Sequence, residues 1–221
     1  MIRGLALPAW APAVIVAALA SAAVHLWAER RQARAVVHVA KPLTTALLVA
    51  LAVTLPARDP AYRVVVVIGL VASLAGDVFL MLPGDRFVAG LASFLVAHLA
   101  YLAAFTRAAP LFAAPTALAL YAVVGAALVV VLWPRLGVLR VPVLAYAAAL
   151  VAMAAQAAAH ARVVDGSPAR LAAVGAALFV ASDAILAVDR FRAPVPHAQD
   201  WIMTTYVAAQ LGIALSVLPG A

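Results

Sequence analysis

Eight apolar blocks, each long enough to cross a bilayer, follow one another along this chain with little between them. They run roughly over 8–27, 36–55, 63–82, 87–106, 111–132, 141–160, 169–188 and 201–218. A helix needs about 20 consecutive apolar residues to cross the hydrocarbon core. Inside that core every backbone N–H and C=O must be satisfied within the chain, so blocks of this kind are helices. The connections, such as ERRQAR, PGDR and WPRLGVLR, are short and hold the charges, prolines and turn residues. The expected fold is therefore all-α: a polytopic membrane protein of eight transmembrane helices, with residues 1–221 forming a single integral membrane domain.

Composition excludes the alternatives. The chain is 68% hydrophobic and 10% charged, where soluble domains have about 45–50% and about 25%. The block at 8–27 is too long for a signal-peptide core and has only Arg3 before it, so it reads as a first span. There is no cysteine, which removes disulfides and thiolate metal sites. The net charge of +7 comes from Arg and Lys scattered between apolar blocks, with no basic stripe. That pattern suits loops meeting anionic lipid headgroups and does not suit nucleic acid.

Eight spans put both termini on one side, here side A, opposite side B. Side B carries Arg30, Arg31, Arg34, Lys41, Arg86, Arg135, Arg140, Arg190 and Arg192, and side A carries Arg3, Arg58, Arg63, Arg107, Arg162 and Arg170. The excess of basic residues favours side B as cytoplasmic, in a multi-pass protein of the plasma (inner) membrane.

An internal repeat is legible. AGDVFLMLPGDRF at 75–87 matches ASDAILAVDRF at 181–191, and FLVAHLAYL at 94–102 matches YVAAQLGIA at 206–214. Corresponding segments lie four spans apart, which predicts two parallel four-helix halves, about 1–107 and 108–221.

Asp77 and Asp183 are the costly residues. An aspartate at a helix centre costs roughly 2.5–3.5 kcal/mol on insertion scales, so an ionisable group inside a span is a functional-site hypothesis. Counted from the ends of their blocks, Lys41, Asp77, Tyr146, Asp183 and Tyr206 fall in one layer near side B. Gln210 is a turn deeper than Tyr206, and His98 lies nearer mid-membrane. Each has a purely structural alternative. The aspartates could bond across helices, Lys41 could snorkel to the headgroups, and the tyrosines could anchor at the interface. His98 could be a satisfied core histidine, and Ser182 could return a bond to its own helix. Asp85 and Asp189 sit beside arginine in turns and read as loop ion pairs.

Several chemistries are absent: there is no GxSxG elbow, no Gly-rich phosphate loop and no HExxH. What remains is two membrane-embedded carboxylates near one lysine, a layout that can divide into a general acid and a carboxylate base.

The same residues carry a family resemblance. Lys-Pro at 41–42, GD at 76–77, FxxGxxSFxxAHxxY at 87–101, PVxxYxxxxxxM at 142–153, SD at 182–183 and YxxAQ at 206–210 resemble the YhhN family, which includes the mammalian TMEM86 lysoplasmalogenases. The resemblance covers nearly the whole chain. It implies a multi-span hydrolase of the vinyl ether bond of lysoplasmalogens, releasing a fatty aldehyde and a glycerophospho-head group. It implies no metal and no other cofactor, and a lysophospholipid substrate taken from the bilayer. On that reading Asp77 and Asp183 are the acid/base pair. His98, Tyr206 and Gln210 hold water or glycerol oxygens, Lys41 holds a carboxylate or the phosphate, and Tyr146 and Ser182 support the site. Two other readings stay open: a small transporter or lipid-binding protein using the aspartates as proton sites, and a lipid hydrolase acting on a different bond.

Overall fold

The computed structural model describes residues 7–220, so Arg3 lies outside the described residues. Eight α-helices follow in order: α1 (Ala11–Arg30), α2 (Arg34–Thr54), α3 (Pro60–Met81), α4 (Phe87–Phe105), α5 (Pro115–Leu132), α6 (Arg140–Val163), α7 (Ser167–Phe191) and α8 (Ala198–Leu215). Two short 3-10 turns, Trp133–Arg135 and Gly137–Leu139, join α5 to α6. The chain is an integral multi-pass membrane protein. Seven of the helical segments are long and apolar enough to cross a bilayer on length and composition alone; α8 is the one that is not.

Burial explains that exception. Helix α8 packs against α7, α2, α1 and α3, and most of its residues from Met203 onward are buried. The packed face of α8 encloses Gln210 completely, the Thr205 hydroxyl is satisfied by the Trp201 carbonyl at 2.7 Å, and Thr204 lies on the face that stays exposed. Helix α5 is the opposite case. Only Leu132 of it is buried, and Val123 and Val130 stand open on its outer face.

Helix starts follow the local chemistry. Pro60, Pro115 and Pro168 occupy the first turns of α3, α5 and α7, where a missing N–H costs nothing. Asp59 caps α3 by accepting from the Ala61 N–H at 2.8 Å. Asp59 also receives the Arg107 Nε–H at 2.8 Å, tying the start of α3 to the end of α4 on side A. The Arg107 hydrogen bond holds the Asp59 carboxyl below its ordinary value. A depressed folded-state value means the stabilisation is present above the unfolded-state value and is lost as pH falls through the folded one. The pair is exposed and solvent-screened, so its contribution is small. Asp59→Asn should lower the thermal midpoint slightly at pH 7 and leave it equal to wild type once pH drops below the Asp59 value, read from thermal melts across pH.

Close helix contacts rest on small residues. A Cβ at Gly175 would stand 2.7 Å from the Ala209 carbonyl oxygen, and one at Gly212 would stand 2.8 Å from that of Leu171, so α7 and α8 meet backbone to backbone. The adjacent aspartates are thereby carried on closely paired helices, Asp77 on α3 against α4 and Asp183 on α7 against α8.

Candidate active site

A cavity of about 1020 Å³ opens at the side-B end of the bundle. Its rim comes from the α1–α2 turn (Gln32, Arg34), the α3–α4 turn (Asp85, Arg86) and the start of α8 (Gln199). Lys41, Asp77, Phe94, Asp183 and Tyr206 line it deeper in.

Asp77 is surrounded by donors from two other helices. Thr45 Oγ1 and Tyr206 Oη each donate to its Oδ2 at 2.7 Å, and Lys41 Nζ lies 3.7 Å from Oδ1. A carboxylate that meets only donors acts as acceptor throughout, which suits the ionised form. Asp77 is only 2% exposed, so these partners replace the water it has lost.

Asp183 anchors a second cluster. Tyr146 Oη donates to its Oδ2 at 2.7 Å. His98 Nε2 lies 3.3 Å from the same oxygen and 2.9 Å from Tyr146 Oη, closing a triangle across α4, α6 and α7. The Asp183 Oδ1 atom has no hydrogen bond among the described residues, and the side chain keeps 12% exposure.

Aromatic rings join the two clusters. Phe179 meets the His98 ring edge-on at 4.8 Å and the Tyr206 ring at 5.6 Å. Phe94 packs against both Phe179 and Tyr206. A Cβ at Gly76 would come within 2.6 Å of the Phe94 ring, so the glycine beside Asp77 makes room for that ring.

The structure thus brings Lys41, Asp77 and Tyr206 into one cluster, and His98, Tyr146 and Asp183 into another. Ser182 Oγ does not bond back to its own helix; it donates to the Ile202 carbonyl at 3.1 Å and links α7 to α8 beside the cavity. Gln210 lies behind the site. Its Oε1 accepts from Tyr101 Oη at 2.7 Å, both residues are fully buried, and neither lines the cavity. Asp85, in the α3–α4 turn, pairs with Arg190 as expected. Asp189 instead lies in the last turn of α7, forms no ion pair among the described residues, and accepts from the Val195 N–H at 2.8 Å, because α7 continues to Phe191.

Sequence reasoning passed over Thr45, Tyr101, Phe94 and Phe179. A signal existed for all four: Phe94 and Tyr101 stand in the 87–101 motif, and Phe94 is four residues before His98. Thr45 is four residues after Lys41, Tyr101 three after His98 and Phe179 four before Asp183, spacings that share a helix face. Among the described residues no group of three His, Asp or Glu side chains is arranged to hold a metal ion.

The pattern of the YhhN family matches residues 36–217, from the start of α2 to the end of α8, and so takes in every residue of both clusters. The chain belongs to the YhhN family. It is 43% identical over 149 residues to lysoplasmalogenase TMEM86B of Homo sapiens, a match covering 67% of this chain and 61% of that one. It is 37% identical over 130 residues to a lysoplasmalogenase of Mycobacterium bovis, covering 55% and 48%. The uncharacterized membrane protein YhhN of Escherichia coli is 39% identical over 104 residues, covering 47% and 49%. The chain thus matches less than two thirds of the length of these curated relatives. No solved structure matches.

Proposed function

We propose that this YhhN-family protein hydrolyses the vinyl ether bond of lysoplasmalogens, giving a fatty aldehyde and a glycerophospho-head group, with Asp77 and Asp183 as the acid/base pair. One observation carries the reading: two carboxylates on different helices, each held by hydroxyl donors, border a single cavity of about 1020 Å³ that opens at one end of the bundle. Relatives whose names state the activity support it.

The chemistry asks for such a pair. Vinyl ethers hydrolyse by protonation of the β-carbon, which leaves an oxocarbenium ion. Water then adds and the hemiacetal collapses. A carboxylic acid can give the proton, and an ionised carboxylate can stabilise the cation and take a proton from water. Lys41 balances the charge of Asp77, Tyr206 and Thr45 orient it, and His98 and Tyr146 orient Asp183. Gln210 acts indirectly, through the buried contact with Tyr101, and Ser182 by locking α7 to α8. The substrate is a single-chain lysolipid entering from the bilayer, with its head group at side B. We place the protein in the plasma membrane with side B cytoplasmic, on the excess of basic residues there, and read halves 1–107 and 108–221 as a duplication on the strength of the paired motifs.

Purified protein incubated with lysoplasmalogen should release aldehyde, and with an acyl lysophospholipid it should release no fatty acid. A folded preparation that gives no aldehyde would falsify the assignment. Thr45→Val should lower kcat about tenfold to a hundredfold with a smaller change in KM, since it removes one charge-assisted hydrogen bond to Asp77, about 1.5–3 kcal/mol. Steady-state kinetics on the two forms measure this.

A further inference from the structure

A second opening meets the main cavity at Asp183. It is a slot of about 70 Å³ between α4, α5, α6 and α7. Asp183 and Tyr146 are its only polar lining residues; the others, such as Leu91, Leu128, Val143, Ala147 and Leu186, are apolar. The free space suits roughly five water-sized groups in a row, at about 10–15 Å³ each. That is too little for a glycerophosphate and enough for the first methylenes of a hydrocarbon chain. Asp77 borders only the large cavity, whereas Asp183 borders both spaces.

We propose that this slot seats the hydrocarbon chain next to the scissile bond, which sets Asp183 against the β-carbon as the proton donor and leaves Asp77 to activate water. The inference rests on the lysoplasmalogen reading above. In a vinyl ether the β-carbon lies on the chain side and the ether oxygen on the glycerol side. With the chain in the slot and the glycerophosphate in the large cavity, the β-carbon comes to the junction where Asp183 stands. Asp183 gives its proton to that carbon, and the α-carbon becomes part of the oxocarbenium ion. Asp77 takes a proton from water as the hydroxyl adds to the α-carbon. In the collapse, Asp77 returns that proton to the glycerol oxygen as the C–O bond breaks. The hemiacetal hydroxyl proton passes to Asp183, so both carboxyl groups end as they began. The Oδ1 atom of Asp183, which has no hydrogen bond among the described residues, is free to carry the donated proton.

The test uses the full-length protein and lysoplasmalogens with alkenyl chains of three and eight carbons. Each methylene buried in the slot is worth about a fourfold gain in kcat/KM, so wild type should favour the longer chain by at least about a hundredfold. Ala147→Phe fills the slot and should reduce that preference at least tenfold. Val123→Phe, on the open face of α5, should leave it unchanged. Leu128→Ala, which widens the slot at its α5 wall, should raise relative turnover of a chain methyl-branched near the double bond; it serves if Ala147→Phe does not fold. Binding of a non-hydrolysable eight-carbon alkyl-ether glycerophosphocholine reads the seat without turnover, and Ala147→Phe should weaken it at least tenfold. If wild type releases no aldehyde yet shows this binding pattern, the activity assignment fails and the seat stands. If wild type turns over while both slot variants keep its chain preference, the seat is overturned. Azide, a nucleophile that needs no base, should restore vinyl ether consumption to Asp77→Ala and not to Asp183→Ala; rescue of Asp183→Ala instead would reverse the roles.

Discussion

Asp183→Asn and Asp77→Asn should each lower aldehyde release by about a thousandfold or more, with the fold intact. General acid and base groups contribute about 10²–10⁴-fold each. Asparagine keeps the size of aspartate and can still accept from Tyr146 and His98 at position 183, or from Thr45 and Tyr206 at position 77. What it lacks is a proton that can be given to carbon or a charge that can draw one from water. The two variants differ in their structural cost. Asp183→Asn removes no counter-charge from a fixed cation. Asp77→Asn leaves Lys41 beside a neutral amide at 16% side-chain exposure, so its thermal midpoint should fall further than that of Asp183→Asn. Aldehyde release, measured beside thermal melts and helical content in detergent, separates the two effects. Full activity in either variant would sink the two-carboxylate mechanism.

Gly175→Val should be the most damaging single change away from the site. The added Cβ meets the Ala209 carbonyl oxygen at 2.7 Å and the Ile213 N–H group at 3.2 Å, and neither can rotate away as a side-chain tip would. Overpacking of this kind costs typically 1–3 kcal/mol and more where backbone must move. Helix α8 would be pushed off α7, and it carries Tyr206, whose hydroxyl holds Asp77. Both the thermal midpoint and kcat should therefore fall. Gly125→Ala is the comparison: its nearest neighbour is a single methyl of Val151 at 2.7 Å, on the loosely covered α5, and its loss should be smaller. Equal midpoints for the two variants would show that the α7–α8 approach is not the limiting contact.

Much of this molecule was legible before any coordinates. The spans follow from hydrophobic length, and seven of the eight blocks are helices that qualify on apolarity alone. The eighth, α8, is more polar because its first turn holds Gln199 and Asp200 and its packed face holds the buried Gln210. Lys41 and Asp77 could be set at a common depth because a helix advances a fixed 1.5 Å per residue. Counted from its helix end, Asp183 is deeper than its block suggested, since α7 continues to Phe191, eight residues beyond it, while α3 ends at Met81, four beyond Asp77. Gln210 shows the limit of depth as a guide. It sits one turn from Tyr206 on α8 and is still outside the cavity, joined to Tyr101.

By itself the sequence determined that the chain crosses a membrane, where its helices lie to within about one turn, and which few ionisable groups are carried into the apolar layer at a cost. The tertiary structure alone decided that Lys41, Thr45 and Tyr206 belong to Asp77, that His98 and Tyr146 belong to Asp183, and that the latter stands between a polar cavity and an apolar slot. The physical reason is that a one-dimensional pattern sets height along each helix axis. Which neighbour a side chain meets depends on how each helix is rotated and which helices pack together, and that is settled by close contacts such as Gly175 against Ala209 and Gly76 against Phe94.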